Sequence, residues 1–212
     1  MKIVIAGATG KIGGAALQRL LALPAVTSVI ALSRRKIDVE HPKLTVAIIE
    51  DFLHYEPGVL EQLSGSEACI WSLGTPTGGR DVHMDYTMAA VKALKSSLKN
   101  GQQFRFVYVS GALVETDQSK TLWFMGDMRR MRGEVENAVV ELGKDSKQWT
   151  SFFARPSLVT EGESVMRFVS SSYIPVATLG AALVDLAVVG GEQSVLNNGE
   201  LRERGKSALK AA

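Results

Sequence analysis

Short apolar runs recur along the chain at Lys2 to Ala6, Ser28 to Leu32, Leu44 to Ile49, Ala68 to Leu73, Phe104 to Ser110 and Trp149 to Ala154. Each has the length of a strand and is followed by glycine, proline or polar residues. Between them lie segments with a helical period. These are the run behind Gly14 from Ala15 to Leu23, Pro57 to Leu63, Tyr86 to Leu98 and Asp127 to Leu142. The third carries a stripe of Ala90, Val91, Leu94 and Leu98, and the fourth one of Met128, Met131, Val135, Val139 and Leu142. A further helix near Leu179 to Val189, a short strand Ser194 to Asn197 and a lysine-bearing terminal helix complete the pattern. Strands alternating with helices predict an α/β fold, a single Rossmann-like doubly wound parallel sheet with helices on both faces. No repeat or linker divides it, so residues 1–212 read as one domain.

The first strand runs into Gly7, Gly10 and Gly13, with a helix directly behind. One glycine permits the tight turn, one a close approach to a pyrophosphate, and one the packing of helix on strand. The free N–H groups and dipole of the helix start suit the same doubly charged guest. Gly7, Thr9, Gly10, Lys11, Ile12 and Gly13 are therefore the candidate cradle; the competing reading is a merely structural turn.

The second strand ends in Ser33, Arg34 and Arg35, where a dinucleotide fold senses the ribose about 20 residues past its glycines. An acid there would bind the ribose hydroxyls of NAD. A hydroxyl and two guanidiniums instead predict the 2′-phosphate of NADP, with NAD the lesser candidate; a solvated basic turn is the alternative. At the end of the third strand Asp51 and Phe52 suit an adenine amino group and ring, or else cap the next turn. The glycine-rich, polar stretch Thr77 to Asp85 is the candidate substrate-facing loop.

Composition narrows the field. Charged residues make up 22% and the net charge is +2, too small and dispersed to imply nucleic acid or a membrane as partner. The partner expected is a small-molecule substrate, and the chain a monomer or homodimer. Arg129, Arg130 and Arg132 are spread around their helix and read as a solvated face. A single cysteine, Cys69, in an apolar run, fits a buried structural thiol in a reducing compartment. With no signal-peptide core and no spanning segment, a cytoplasmic location is expected. The three histidines have no metal-ligand spacing with Cys69, so no metal site is expected. A P-loop and a nucleophile elbow both fail, because Ile5 and Tyr108 stand where each needs glycine.

These residues resemble the atypical short-chain dehydrogenase/reductases, in particular the NmrA-like and Tat-interacting-protein-like NAD(P)-binding branch. The resemblance covers nearly the whole chain and rests on Gly7 to Gly13, Tyr108-Val109-Ser110, Arg132 to Glu136 and Arg155-Pro156-Ser157. It implies an NADP-binding fold with the nicotinamide near the carboxyl ends of strands four to six. Leu73, Gly74, Thr75, Arg132, Pro156 and Ser157 would then join the cofactor site. Catalytic members place a Tyr four residues before a Lys on the long helix, with a Ser on the preceding strand; the phenol donates a proton as hydride arrives. The alignment puts Met128 in the Tyr position and Arg132 in the Lys position, while Ser110 remains. A thioether donates no proton. Two mechanisms follow. In one, hydride transfer to a small carbonyl or enone persists, with Ser110 and Arg132 in the site and His83, Tyr86, Asp81 or Asp127 supplying the proton. A lone loop histidine such as His83 is more often a surface residue. In the other, the nucleotide is held without hydride transfer, in a redox-neutral isomerase, cyclase or dehydratase or in a regulator.

Overall fold

A computed structural model describes residues 1–74, 79–162 and 172–211. Seven parallel strands form the central sheet in the order β3-β2-β1-β4-β5-β6-β9. They are β1 (Lys2–Ala6), β2 (Ser28–Ser33), β3 (Leu44–Ile48), β4 (Ala68–Trp71), β5 (Phe104–Val109), β6 (Trp149–Arg155) and β9 (Val195–Asn197). The order reverses between β1 and β4, which pair in register from Ile3 with Ala68 to Ala6 with Trp71. Chain entering on one side of that junction and returning on the other opens a crevice at the carboxyl ends of these two strands.

Period-two alternation within the strands sends side chains into two separate cores. Ile3, Ile5, Val29, Ala31, Val107 and Phe152 pack on one face with Leu17 and Leu20 of α1 (Lys11–Ala22), Leu179, Leu183 and Leu186 of α5 (Val176–Val188) and Leu201 of α6 (Asn198–Lys210). Val4, Ala6, Ile30, Leu32, Trp71, Phe106 and Tyr108 pack on the other. They meet Leu63 of α2 (Pro57–Leu63), Val91 and Leu94 of α3 (Tyr86–Ser96), and Val135 and Val139 of α4 (Gly126–Gly143). Both faces are covered, as a parallel sheet requires, and the helices on both faces match the expected doubly wound sheet. Cys69 is fully buried and unbridged. Among the described residues no helix is long and apolar enough to cross a membrane.

Three features depart from the sequence reading. A two-stranded parallel pair, β7 (Leu158–Thr160) with β8 (Tyr173–Pro175), stands beside the main sheet. The described end of the expected substrate loop is not loop: Asp81–Asp85 forms a π-helical turn leading into α3. Arg80, just ahead of it, forks onto both carboxylate oxygens of Glu134 at 2.6 Å and pins the turn to α4. The arginines of α4 are also more than a solvated face. Arg129 Nε donates to the Leu113 carbonyl at 2.8 Å, and Arg130 reaches Asp127 at 2.8 Å and the Lys120 carbonyl at 3.3 Å. They fasten the segment between β5 and α4 to the helix.

Candidate functional site

Gly7 leaves β1 with φ +82°, in the left-handed region that side chains disfavour. A Cβ there would lie 2.5 Å from the carbonyl oxygen of Ser72, which follows β4. The turn is thus wedged into the crevice where β1 and β4 part, and the Ser72 hydroxyl donates to the Ala6 carbonyl at 2.8 Å. Gly10 closes the turn by donating to the Gly7 carbonyl at 2.9 Å and then starts α1 with no side-chain cap and no acid in the first turn. The first N–H groups of α1 are left for an external acceptor. A bare, positively polarised helix start behind a turn only glycine can make fits a pyrophosphate. Thr9 and Lys11 are exposed there, Ile12 is half-buried, and the Lys11 ammonium pairs with Glu161 at 2.7 Å.

At the end of β2 the Ser33 side chain turns inward, and its hydroxyl accepts from the Arg35 N–H at 3.3 Å. Arg34 and Arg35 stand exposed, and neither forms an ion pair among the described residues. Asp51 and Phe52 lie at the end of β3 with structural duties. The Asp51 carboxylate accepts from the Leu53 N–H and from His54 Nδ1, both at 2.9 Å, and these bonds hold its carboxyl below the usual range. Phe52 is 2% exposed, its ring set edge-on to Trp71 and tilted against Tyr86. Leu73 packs on the α3 side of the sheet and Gly74 is exposed. Thr75 lies outside the described residues.

A cleft of about 780 Å³ opens beside the glycine turn. Ile12, Ser110, Met128, Arg132, Pro156 and Ser157 line it together, from α1, the ends of β5 and β6, and one face of α4. Five of these positions come from the candidate site, and Met128 is the one aligned with the missing Tyr. The remaining lining is largely aliphatic, with Val109, Leu113, Met125, Leu158 and Val159 among it.

The expected proton donors are elsewhere. His83 is buried at 5% in the π-helical turn, so the exposed loop histidine read from the sequence is corrected. Its ring lies against Gly74. Tyr86 packs on Phe52, Asp127 pairs with Arg130 on the surface, and Asp81 is exposed. None of the four lines the cleft. Tyr108, fully buried in β5, has its phenol pushed up by burial; nearby Arg132 opposes that shift and Glu136 adds to it.

Two residues to which the sequence reading gives no site role complete the site. Glu136 on α4 is 3% exposed, and its carboxylate accepts the Ser110 hydroxyl at 2.6 Å. Arg155, at the end of β6, donates Nε to the same oxygen at 3.1 Å and a terminal nitrogen to the other. The sequence signals are the place of Glu136 four residues after Arg132, on the same helical face, and the presence of both Glu136 and Arg155 in the blocks that carry the family resemblance.

Comparison with solved structures finds the same fold at low identity. An oxidoreductase of Lactococcus lactis matches with TM-score 0.71 and 18% identity, over 99% of this chain and 97% of that one. A short chain dehydrogenase of Burkholderia cenocepacia in complex with NADP matches with TM-score 0.71 and 15% identity, over 99% and 92%. A putative epimerase of Bacteroides thetaiotaomicron matches with TM-score 0.66 and 22% identity, over 92% and 95%. No curated protein matches significantly in sequence. The profile of the NAD(P)H-binding family, however, matches residues 7–185, from the glycine turn into α5, and the chain belongs to that family.

Proposed function

We propose that this chain is an NADP(H)-dependent oxidoreductase acting on a small carbonyl or enone, or on the corresponding alcohol, in the NmrA-like and Tat-interacting-protein-like branch. The observation that carries the reading is the gathering of Ser110 and Arg132 on one largely aliphatic cleft beside the glycine turn. The turn and the start of α1 would hold the pyrophosphate, and Arg34 and Arg35 the 2′-phosphate. A nicotinamide held in the cleft would supply or accept hydride. Arg132 bonds ribose hydroxyls or a developing oxyanion, and the aliphatic walls exclude water from the reacting carbon. NADP in the structural neighbour from Burkholderia cenocepacia is consistent with this choice of cofactor. A cytoplasmic setting accords with the single buried thiol, and a monomer or homodimer completes the proposal.

A second reading is favoured by Met128, which lines the cleft at the position aligned with the proton-donating Tyr. It is a cofactor-binding protein without hydride transfer. The test mixes the protein with NADPH and a panel of aldehydes, ketones, quinones and enones. Nicotinamide fluorescence reports binding and absorbance reports oxidation. Oxidation that depends on a panel member supports the oxidoreductase; binding with no oxidation across the panel supports the second reading.

A further inference from the structure

We propose that Ser110 and Glu136 form a proton relay that replaces the missing tyrosine, with Ser110 touching the substrate oxygen and Glu136 receiving the proton behind it. This deepens the proposed oxidoreductase reading and rests on it. Among the described residues, the cleft offers no phenol, imidazole or carboxyl of its own at its surface. Its route to a proton-binding group among the described residues runs through the Ser110 hydroxyl, which lines the cleft and donates to the buried Glu136 carboxylate at 2.6 Å. A hydroxyl carries one proton and two lone pairs. With its proton committed to Glu136, the Ser110 oxygen faces the cleft as an acceptor. The complementary substrate group is an alcohol O–H.

The groups facing Glu136 come from three elements. Ser110 and the Tyr108 phenol lie on β5 and its end, Arg155 on β6, and Arg132 one turn earlier on α4. Three donor bonds, one from Ser110 and two from Arg155, converge on the carboxylate, the pattern of an ionised acceptor. In that form Glu136 is a base, matched to dehydrogenation of an alcohol. The oxidant is the nicotinamide dinucleotide of the proposed function. As the carbinol carbon gives up its hydrogen as hydride to that oxidant, the substrate O–H proton passes to Ser110 Oγ. The proton already on Oγ passes to Glu136 Oε1, and the C–O single bond becomes C=O. Carbonyl reduction runs the same path backwards from protonated Glu136. Arg155, which bonds both Glu136 oxygens, also lines a second, polar cavity of about 440 Å³ with Ser157, Asn197 and Glu200.

The test compares wild type with Ser110→Ala, Ser110→Thr, Glu136→Gln and the double variant Ser110→Ala/Glu136→Gln, all checked for folding by Tm. In cofactor-free protein carrying carboxyl-13C glutamate, the Glu136 carboxylate band is isolated as the infrared difference between wild type and E136Q. It shifts in S110A and returns towards its wild-type position in S110T. If E136Q does not fold, the difference between wild type and S110A carries the same band. NADP+ affinity is the same in all variants. With NADP+ and short-chain and cyclic secondary alcohols, wild type turns over. S110A and E136Q each lose about 100-fold or more in kcat, and the double variant loses no more than either single one. An infrared band indifferent to S110A, or losses that add in the double variant, overturns the relay and leaves the oxidoreductase reading intact. Absence of NADP+ binding in wild type, or no turnover of any alcohol, carbonyl or enone, overturns both.

Discussion

A methyl group at position 13 would stand 2.2 Å from the carbonyl oxygen of Gly7, closer than any side-chain carbon can lie. The third glycine therefore sets how near α1 packs on the turn, and with it the placing of the helix N–H groups. Gly13→Ala must push α1 away from β1 or break the turn. The expected cost is on the order of 1–3 kcal/mol, the usual range for overpacking a filled site. Nucleotide affinity should fall further than stability does, because the displaced N–H groups are the binding groups. Urea unfolding and NADPH fluorescence titration of the same variant check both, and an alanine variant with wild-type affinity would contradict the cradle.

Arg34 and Arg35 project from a turn whose serine faces inward, so either can be replaced without disturbing the core. Arg34→Glu should weaken NADP binding by about 10- to 100-fold, the equivalent of one lost hydrogen bond to a charged group. NAD, which lacks the 2′-phosphate, should be held as well or better, because the new acid can accept from its ribose hydroxyls. Calorimetry with both dinucleotides decides it, and equal loss for the two would remove the 2′-phosphate assignment.

The glycine turn, the basic end of β2 and the strand–helix alternation were legible because each is local: a spacing, a charge or a period within one element. What the chain does across elements was not. β7 and β8 have three residues each and find their pairing only in space, so no run announces them. His83 follows a glycine-rich stretch that reads as loop, yet the chain takes a π-helical turn there and buries the ring. Glu136 reads as an ordinary helical acid and Arg155 as a strand terminator. Their importance comes from β5, β6 and α4 converging on one point, which no spacing encodes. Met128, by contrast, comes from aligning one short block, and it lines the cleft together with Ser110 and Arg132.

That placement makes Met128→Tyr a direct gain-of-function test. The phenol would enter the cleft shared by Ser110 and Arg132, one helical turn before Arg132. Carbonyl reduction should rise at least about 10-fold in kcat, within the range a positioned acid contributes, and Arg132→Lys added to it should raise turnover further. In an E136Q background the new tyrosine should restore turnover, since it supplies the proton by a separate route. A Met128→Tyr protein that consumes NADPH no faster with any carbonyl compound would dissociate this helix face from the chemistry.

Burial of three acidic protons makes the fold sensitive to alkali. The Cys69 thiol and the phenols of Tyr55 and Tyr108 are all pushed up, in each case chiefly by burial. The folded chain thus holds these protons more tightly than the unfolded chain. Their contribution is complete below the unfolded values, about 8.5 for a thiol and about 10 for a phenol, and is lost as pH rises beyond them. Urea midpoints should hold steady from pH 7 to 8 and then fall, with a steeper fall past pH 10 where both phenols join. Cys69→Val, close in volume, should remove the part of the decline that begins near pH 8.5 and leave the later part. Native Cys69 should also resist iodoacetamide at pH 8 and react only as fast as the chain unfolds. Rapid labelling of the folded protein, or a midpoint that stays flat to pH 11, would mean that these acidic protons are not held inside the fold.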